Sequence, residues 1–123
     1  MKLLIVDDEK LTREGILKNL PLEKLGIHQT FLADDGIHGL KIALKEKPDL
    51  ILTDVRMPRM SGVEMAEEIL KVLPNAIILF MSAYSDKEYL KAAIKLKAVS
   101  YVDKPLVSKS VWVIQYFRRC TFR

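Results

Sequence analysis

Five short apolar runs alternate with amphipathic stretches along this chain, and that alternation limits its possible folds more than any other feature. The runs are KLLIV at 2–6, QTFLA at 29–33, DLILT at 49–53, AIILFM at 76–81 and VSYV at 99–102. They are too short for helices, and most lack polar–apolar alternation, which is the pattern of strands covered on both faces. Helices are expected between them. Residues 10–20 bring Leu11, Gly15, Leu17 and Leu20 into rough helical phase before Pro21 ends the run. Residues 36–46 put Ile37, Leu40, Lys41 and Leu44 on one stripe, with Lys41 burying only its stem. Ser61-Gly62-Val63-Glu64 reads as a capping box opening a helix to about 72, and Ser85-Asp86-Lys87-Glu88 as a second, opening a helix to about 96. A last helix is expected within 107–123.

Strands alternating with helices in this way build a parallel sheet with right-handed crossovers. The expected fold is therefore α/β, a flavodoxin-like, doubly wound five-stranded parallel sheet with helices on both faces. The order 2-1-3-4-5, known for sheets of this type, puts a switch point between strands 1 and 3. The chain of 123 residues reads as one domain, with no repeat or linker.

Composition excludes several classes. Half the residues are hydrophobic and 29% are charged, which argues against disorder. No apolar run approaches the roughly 18 residues that span a bilayer, so no membrane association is expected. Asp7, Asp8 and Glu9 interrupt the first apolar run too early for a signal peptide. Cys120 is the single cysteine, which fits a reducing cytoplasm. The net charge of +4 comes from the end of the chain. Residues 1–103 hold 15 Lys/Arg against 16 Asp/Glu, whereas Lys104, Lys109, Arg118, Arg119 and Arg123 follow with no acid. A solvated basic face explains this better than a phosphate-binding patch.

In an open parallel sheet, chemistry collects where strands end. Strand 1 ends in Asp7-Asp8-Glu9, strand 3 in Asp54, strand 4 in Ser82 and strand 5 in Lys104. Asp7, Asp8 and Asp54 repel one another unless a divalent cation mediates, and hard oxygen donors without nearby Cys or His suit Mg²⁺. Glu9 is expected to be solvated. A lysine ammonium and a serine hydroxyl beside such a site would suit a phosphoryl group carried on a carboxylate. Each residue alone has a plainer reading: a strand-end Asp is commonly a turn residue, and Ser82 could be a helix cap.

The segments LLIVDDE, LTDVRMPRMSGVE, FMSAYSD and SYVDKP resemble, in order, the diagnostic segments of bacterial two-component receiver domains, and together they span residues 1–106. LTREGI and SAYSDKEYLKAAIKL further resemble receivers that precede AraC-type DNA-binding domains. The resemblance implies that Asp54 is the phosphoacceptor, Asp8 a direct Mg²⁺ ligand, Asp7 a ligand through water, and the backbone carbonyl of Arg56 a further ligand. It implies that Ser82 hydrogen-bonds the phosphoryl group and Lys104 pairs with it, with Lys104-Pro105 a cis peptide. Tyr101 would be the aromatic switch residue, turning inward as Ser82 moves and changing the surface of the fourth helix and fifth strand. The implied role is a phosphorylation-controlled switch in transcription regulation, acting as an enzyme only on its own phosphoryl group. The implied partners are a sensor histidine kinase and DNA only through an output domain outside this sequence; a homodimer is favoured instead by the aromatic residues Trp112 and Tyr116 if they are exposed in the last segment.

A phosphatase of the haloacid-dehalogenase type also uses an aspartyl nucleophile, but Arg56 stands where its second acid belongs. A pseudo-receiver that takes no phosphate would not need the intact acid set. Three departures from the receiver pattern stand out. Lys97 replaces the usual Gly, Asp103 replaces an apolar residue, and residues 107–123 are β-branched, aromatic and free of acid. His28 and His38 match no receiver site and are expected at the surface.

Overall fold

The structure, a computed structural model, describes residues 1–82 and 100–103, with Ser82 and 100–103 taken as backbone. Five strands form one parallel sheet in the order β2-β1-β3-β4-β5. The strands are β1 (Lys2–Val6), β2 (Gln29–Ala33), β3 (Leu50–Asp54), β4 (Ile77–Ser82) and β5 (Ser100–Asp103). The three described helices are α1 (Lys10–Asn19), α2 (Gly36–Glu46) and α3 (Gly62–Val72). β1 and β2 have the expected bounds. β3, β4 and β5 each lie one residue further along than the apolar runs indicate, because pairing carries on past the last apolar side chain. The ladder continues to Asp54↔Met81 and Ser82↔Asp103. The helix expected at 85–96, and 107–123, lie outside the described residues.

The doubly wound architecture shows in the core. Leu3, Ile5, Leu50, Leu52, Ile77, Leu79 and Met81 form one cluster with Ile16 and Leu20, which places α1 on that face. Leu4, Val6, Ile51, Ile78 and Phe80 form the other with Ala43, Val63, Met65, Ala66 and Ile69, which places α2 and α3 opposite. Alternate residues of each central strand feed opposite clusters, as a period of two requires. Burying one such Leu, Ile or Phe side chain contributes about 1.5–3 kcal/mol, so both faces stabilise the strand ends that follow them.

Two expected helix faces are corrected. In α1, Leu11 is 82% exposed while Ile16 and Leu20 are buried. In α2, Ile37 and Leu44 are exposed, and Gly36, Gly39 and Ala43 face inward instead. The reason is closeness of approach. A Cβ on Gly39 would sit 2.7 Å from Met65 Sδ and 3.0 Å from Val6 Cγ2, so α2 packs closely through its smallest residues, with Leu40 and Ile42 half-buried at the flanks and Ile37 and Leu44 turned outward. The Ser61 capping box forms as expected, with Ser61 Oγ accepting from Glu64 N–H at 3.1 Å and Glu64 Oε1 accepting from Ser61 N–H at 3.3 Å. His28 and His38 are at the surface.

Candidate functional site

The site is assembled by strand register. Val6 and Thr53 are paired across β1 and β3, so Asp7 and Asp54 each stand one residue beyond the same rung. Asp7 N–H still donates to Ala33 O at 3.1 Å, extending the β1–β2 ladder past the apolar run. Asp7, Asp8 and Asp54 each offer a carboxylate oxygen, and these oxygens all lie within 4.8 Å of one another. Asp7 is fully buried, Asp54 is 9% exposed and Asp8 is exposed. The site thus has two nearly dry carboxylates and one facing water.

The neighbouring backbone holds these groups. Val55 N–H donates to Asp54 Oδ1 at 2.9 Å. Glu9 N–H donates to Asp7 Oδ1 at 2.9 Å. Glu9 itself is exposed, as the sequence indicates. Three contacts were not legible in the residue pattern. Arg13 Nη1 donates to Asp7 O at 2.6 Å, tying the first turn of α1 to the end of β1. Thr53 Oγ1, buried, donates to Asp54 O at 2.9 Å. Gly62 N–H donates to Val55 O at 2.8 Å, and a Cβ on Gly62 would lie 2.0 Å from Asp54 O. In sequence Gly62 reads as part of the capping box; its role here is to let the start of α3 lie against the backbone of Asp54.

The donor set is chemically consistent with a hard divalent cation: three carboxylate oxygens in one small volume, with no sulfur or imidazole among them. A divalent ion offsets a repulsion that burial makes worse, since charges in a dry site interact more strongly than in water. Arg56 is exposed and stands two residues past the end of β3. The backbone of Ser82 closes β4, one residue past the partner of Asp54, and the backbone of Tyr101 in β5 pairs with Phe80. Lys104 and Pro105 lie outside the described residues. No helix among the described residues is long and apolar enough to cross a membrane.

Comparison with known proteins places the chain in a family. Residues 3–112 match the family described as response regulator receiver domain. The transcriptional regulatory protein HptR of Staphylococcus aureus is 36% identical over 113 residues, covering 92% of this chain and 44% of its own length. A response regulatory protein of Staphylococcus epidermidis is 35% identical over 105 residues, covering 85% of this chain and 41% of its own. The chain therefore spans less than half the length of these curated relatives. Among solved structures, a two-component transcriptional regulator AraC from Clostridium phytofermentans superposes with a TM-score of 0.92 at 48% identity, covering 99% of this chain and 95% of that one. The REC domain of AraT, a response regulator from Geobacillus stearothermophilus, gives 0.90 at 27% identity, covering 99% and 98%.

Proposed function

This chain belongs to the response-regulator receiver family, and from that premise we propose that it takes a phosphoryl group onto Asp54 with Mg²⁺ and switches conformation in response. The observation that carries this reading is the convergence of the Asp7, Asp8 and Asp54 carboxylates within 4.8 Å at the ends of β1 and β3. The carboxylates of Asp7, Asp8 and Asp54 and the backbone carbonyl of Arg56 would hold the cation. When bound, Mg²⁺ neutralises the acidic cluster and the charge on a transferring phosphoryl group.

Asp54 is suited to be the nucleophile. It is largely shielded from water, and the Val55 N–H orients its carboxylate. In the transfer, a carboxylate oxygen of Asp54 forms a bond to phosphorus as the bond from phosphorus to the donor breaks. The donor's electron pair leaves with an imidazole nitrogen of a sensor histidine kinase, or with the acetate oxygen of acetyl phosphate. Ser82 and Lys104 would receive the new phosphoryl oxygens by hydrogen bond and charge, and Tyr101 would turn inward to change the surface beside β5. The 123 residues would form one receiver unit, acting either alone or, as in the longer relative HptR, within a transcriptional regulator whose output domain would make any DNA contact. A homodimer of the phosphorylated form fits that role.

The experiment is mass spectrometry with site mapping after incubation with acetyl phosphate and Mg²⁺. One phosphoryl group on Asp54, absent from Asp54→Asn, is the expected result. A chain that stays unlabelled, or a label mapped elsewhere, would refute the assignment.

A further inference from the structure

The loop of residues 55–61 carries the Arg56 carbonyl, and it is fastened to the molecule at a point distant in sequence from the acidic cluster. Asp35 is the N-cap of α2, and its side chain is only 4% exposed. Its Oδ1 accepts the His38 N–H at 2.8 Å. Its Oδ2 accepts from the Arg59 guanidinium in an ion pair. The His38 N–H and the Arg59 charge, against the opposing effect of burial, hold the Asp35 carboxyl below the usual carboxylate range.

Two further observations bear on the loop. Arg59 has φ 69°, a left-handed backbone that a non-glycine residue keeps only when its surroundings favour it. Next to it, Met60 O presses on the start of α2, where a Cβ on Gly36 would lie 2.2 Å away. The loop then returns to the acidic site, because Gly62 N–H closes on Val55 O and Val55 N–H holds Asp54 Oδ1. The Asp35–Arg59 pair and the Asp54 carboxylate are thus connected through one short closed loop.

We propose that the Arg59–Asp35 ion pair is a positioning device for the phosphorylation site, holding the 55–61 loop so that the Arg56 carbonyl and the Asp54 carboxylate are set for the cation before it arrives. Arg59 and Asp35 touch neither cation nor phosphate in this scheme; they act through the loop. The inference rests on the reading of Asp54 as phosphoacceptor with Mg²⁺.

The test uses two single variants and their double. Arg59→Asn tolerates a left-handed backbone but is too short to reach Asp35, and because the Arg59 side chain is 66% exposed its loss leaves no core cavity. Asp35→Asn keeps an N-cap acceptor for α2 while removing the charge. Mg²⁺ affinity by calorimetric titration, the rate of labelling by acetyl phosphate and the thermal midpoint are measured for each. Each single variant is expected to weaken Mg²⁺ binding about three- to tenfold, at or below the lower end of the effect of removing a direct supporting partner of a metal ligand. The double variant is expected to match the weaker single, since the two residues act as one pair. Arg59→Lys should recover part of the loss. Variants that melt lower yet bind Mg²⁺ like the wild type would make the pair a structural tie only and overturn the proposal. Losses that multiply in the double variant would also overturn it. A wild-type chain that binds no Mg²⁺ and takes no label would instead sink the underlying assignment of Asp54, and the inference with it.

Discussion

Alanine substitution at the glycines gives a graded test of how tightly the site is packed. The most severe case is Gly62→Ala. Its backbone is not left-handed, so alanine meets no conformational penalty, and at a helical position alanine is favoured by about 1 kcal/mol. Against this, the new Cβ would sit 2.0 Å from Asp54 O and 3.1 Å from Thr53 Oγ1. The first neighbour is backbone and cannot swing aside. Overpacking of this kind costs about 1–3 kcal/mol, and displacing the Gly62 N–H from Val55 O loses about 1 kcal/mol more. The net expectation is a loss of about 1–3 kcal/mol. For a domain of this size each kcal/mol moves the thermal midpoint by about 3–5 °C, so Gly62→Ala should melt roughly 3–15 °C lower. It should also label more slowly with acetyl phosphate, because the atom it pushes belongs to Asp54. Gly15→Ala is the control: its Cβ meets nothing within 4 Å, so the helical preference acts alone and the midpoint should rise by about 3–5 °C. Gly39→Ala should fall between, since its nearest contact, at 2.7 Å, is the flexible Met65 sulfur. Thermal unfolding followed by circular dichroism ranks the three. A Gly62→Ala chain that melts at or above Gly15→Ala would refute the close-approach argument.

Three other outcomes are expected. Asp8→Ala should weaken Mg²⁺ binding by at least tenfold, because one hard ligand and its charge disappear; an unchanged calorimetric titration would remove Asp8 from the site. Ser61→Ala should lower stability by about 1 kcal/mol in urea unfolding, because the Glu64 N–H loses its acceptor, and an unaltered midpoint would show that the capping box contributes nothing. Asp35 should make stability depend on acidity: its folded carboxyl lies below the ordinary 3.8, so the unfolded chain binds the proton first and this contribution is lost as pH falls through and below that value. Asp35→Asn should flatten the urea midpoint in that acid window, and parallel pH profiles for variant and wild type would contradict the assignment.

The chain order of apolar runs was enough to specify a doubly wound parallel sheet, and with it which residues stand at the strand ends. That is why Asp7, Asp8 and Asp54 were legible as a group: each strand end falls within a residue of the end of its apolar run, and register then brings the acids at the ends of β1 and β3 together. Helix faces were less legible. Periodicity ranks side chains by hydrophobicity, and it assigned Ile37 and Leu44 to the core. The sheet instead selected Gly36, Gly39 and Ala43, because the distance between packed elements depends on which residues are small.

Sequence alone decided the fold class and the identity of the acidic residues, since both follow from local patterns of charge and hydrophobicity along the chain. Only the tertiary structure showed Arg13 on Asp7, Gly62 against Asp54, and Arg59 reaching back to Asp35. Those contacts join residues whose local sequence is ordinary, and their meaning comes from the space between elements, which no window along the chain contains.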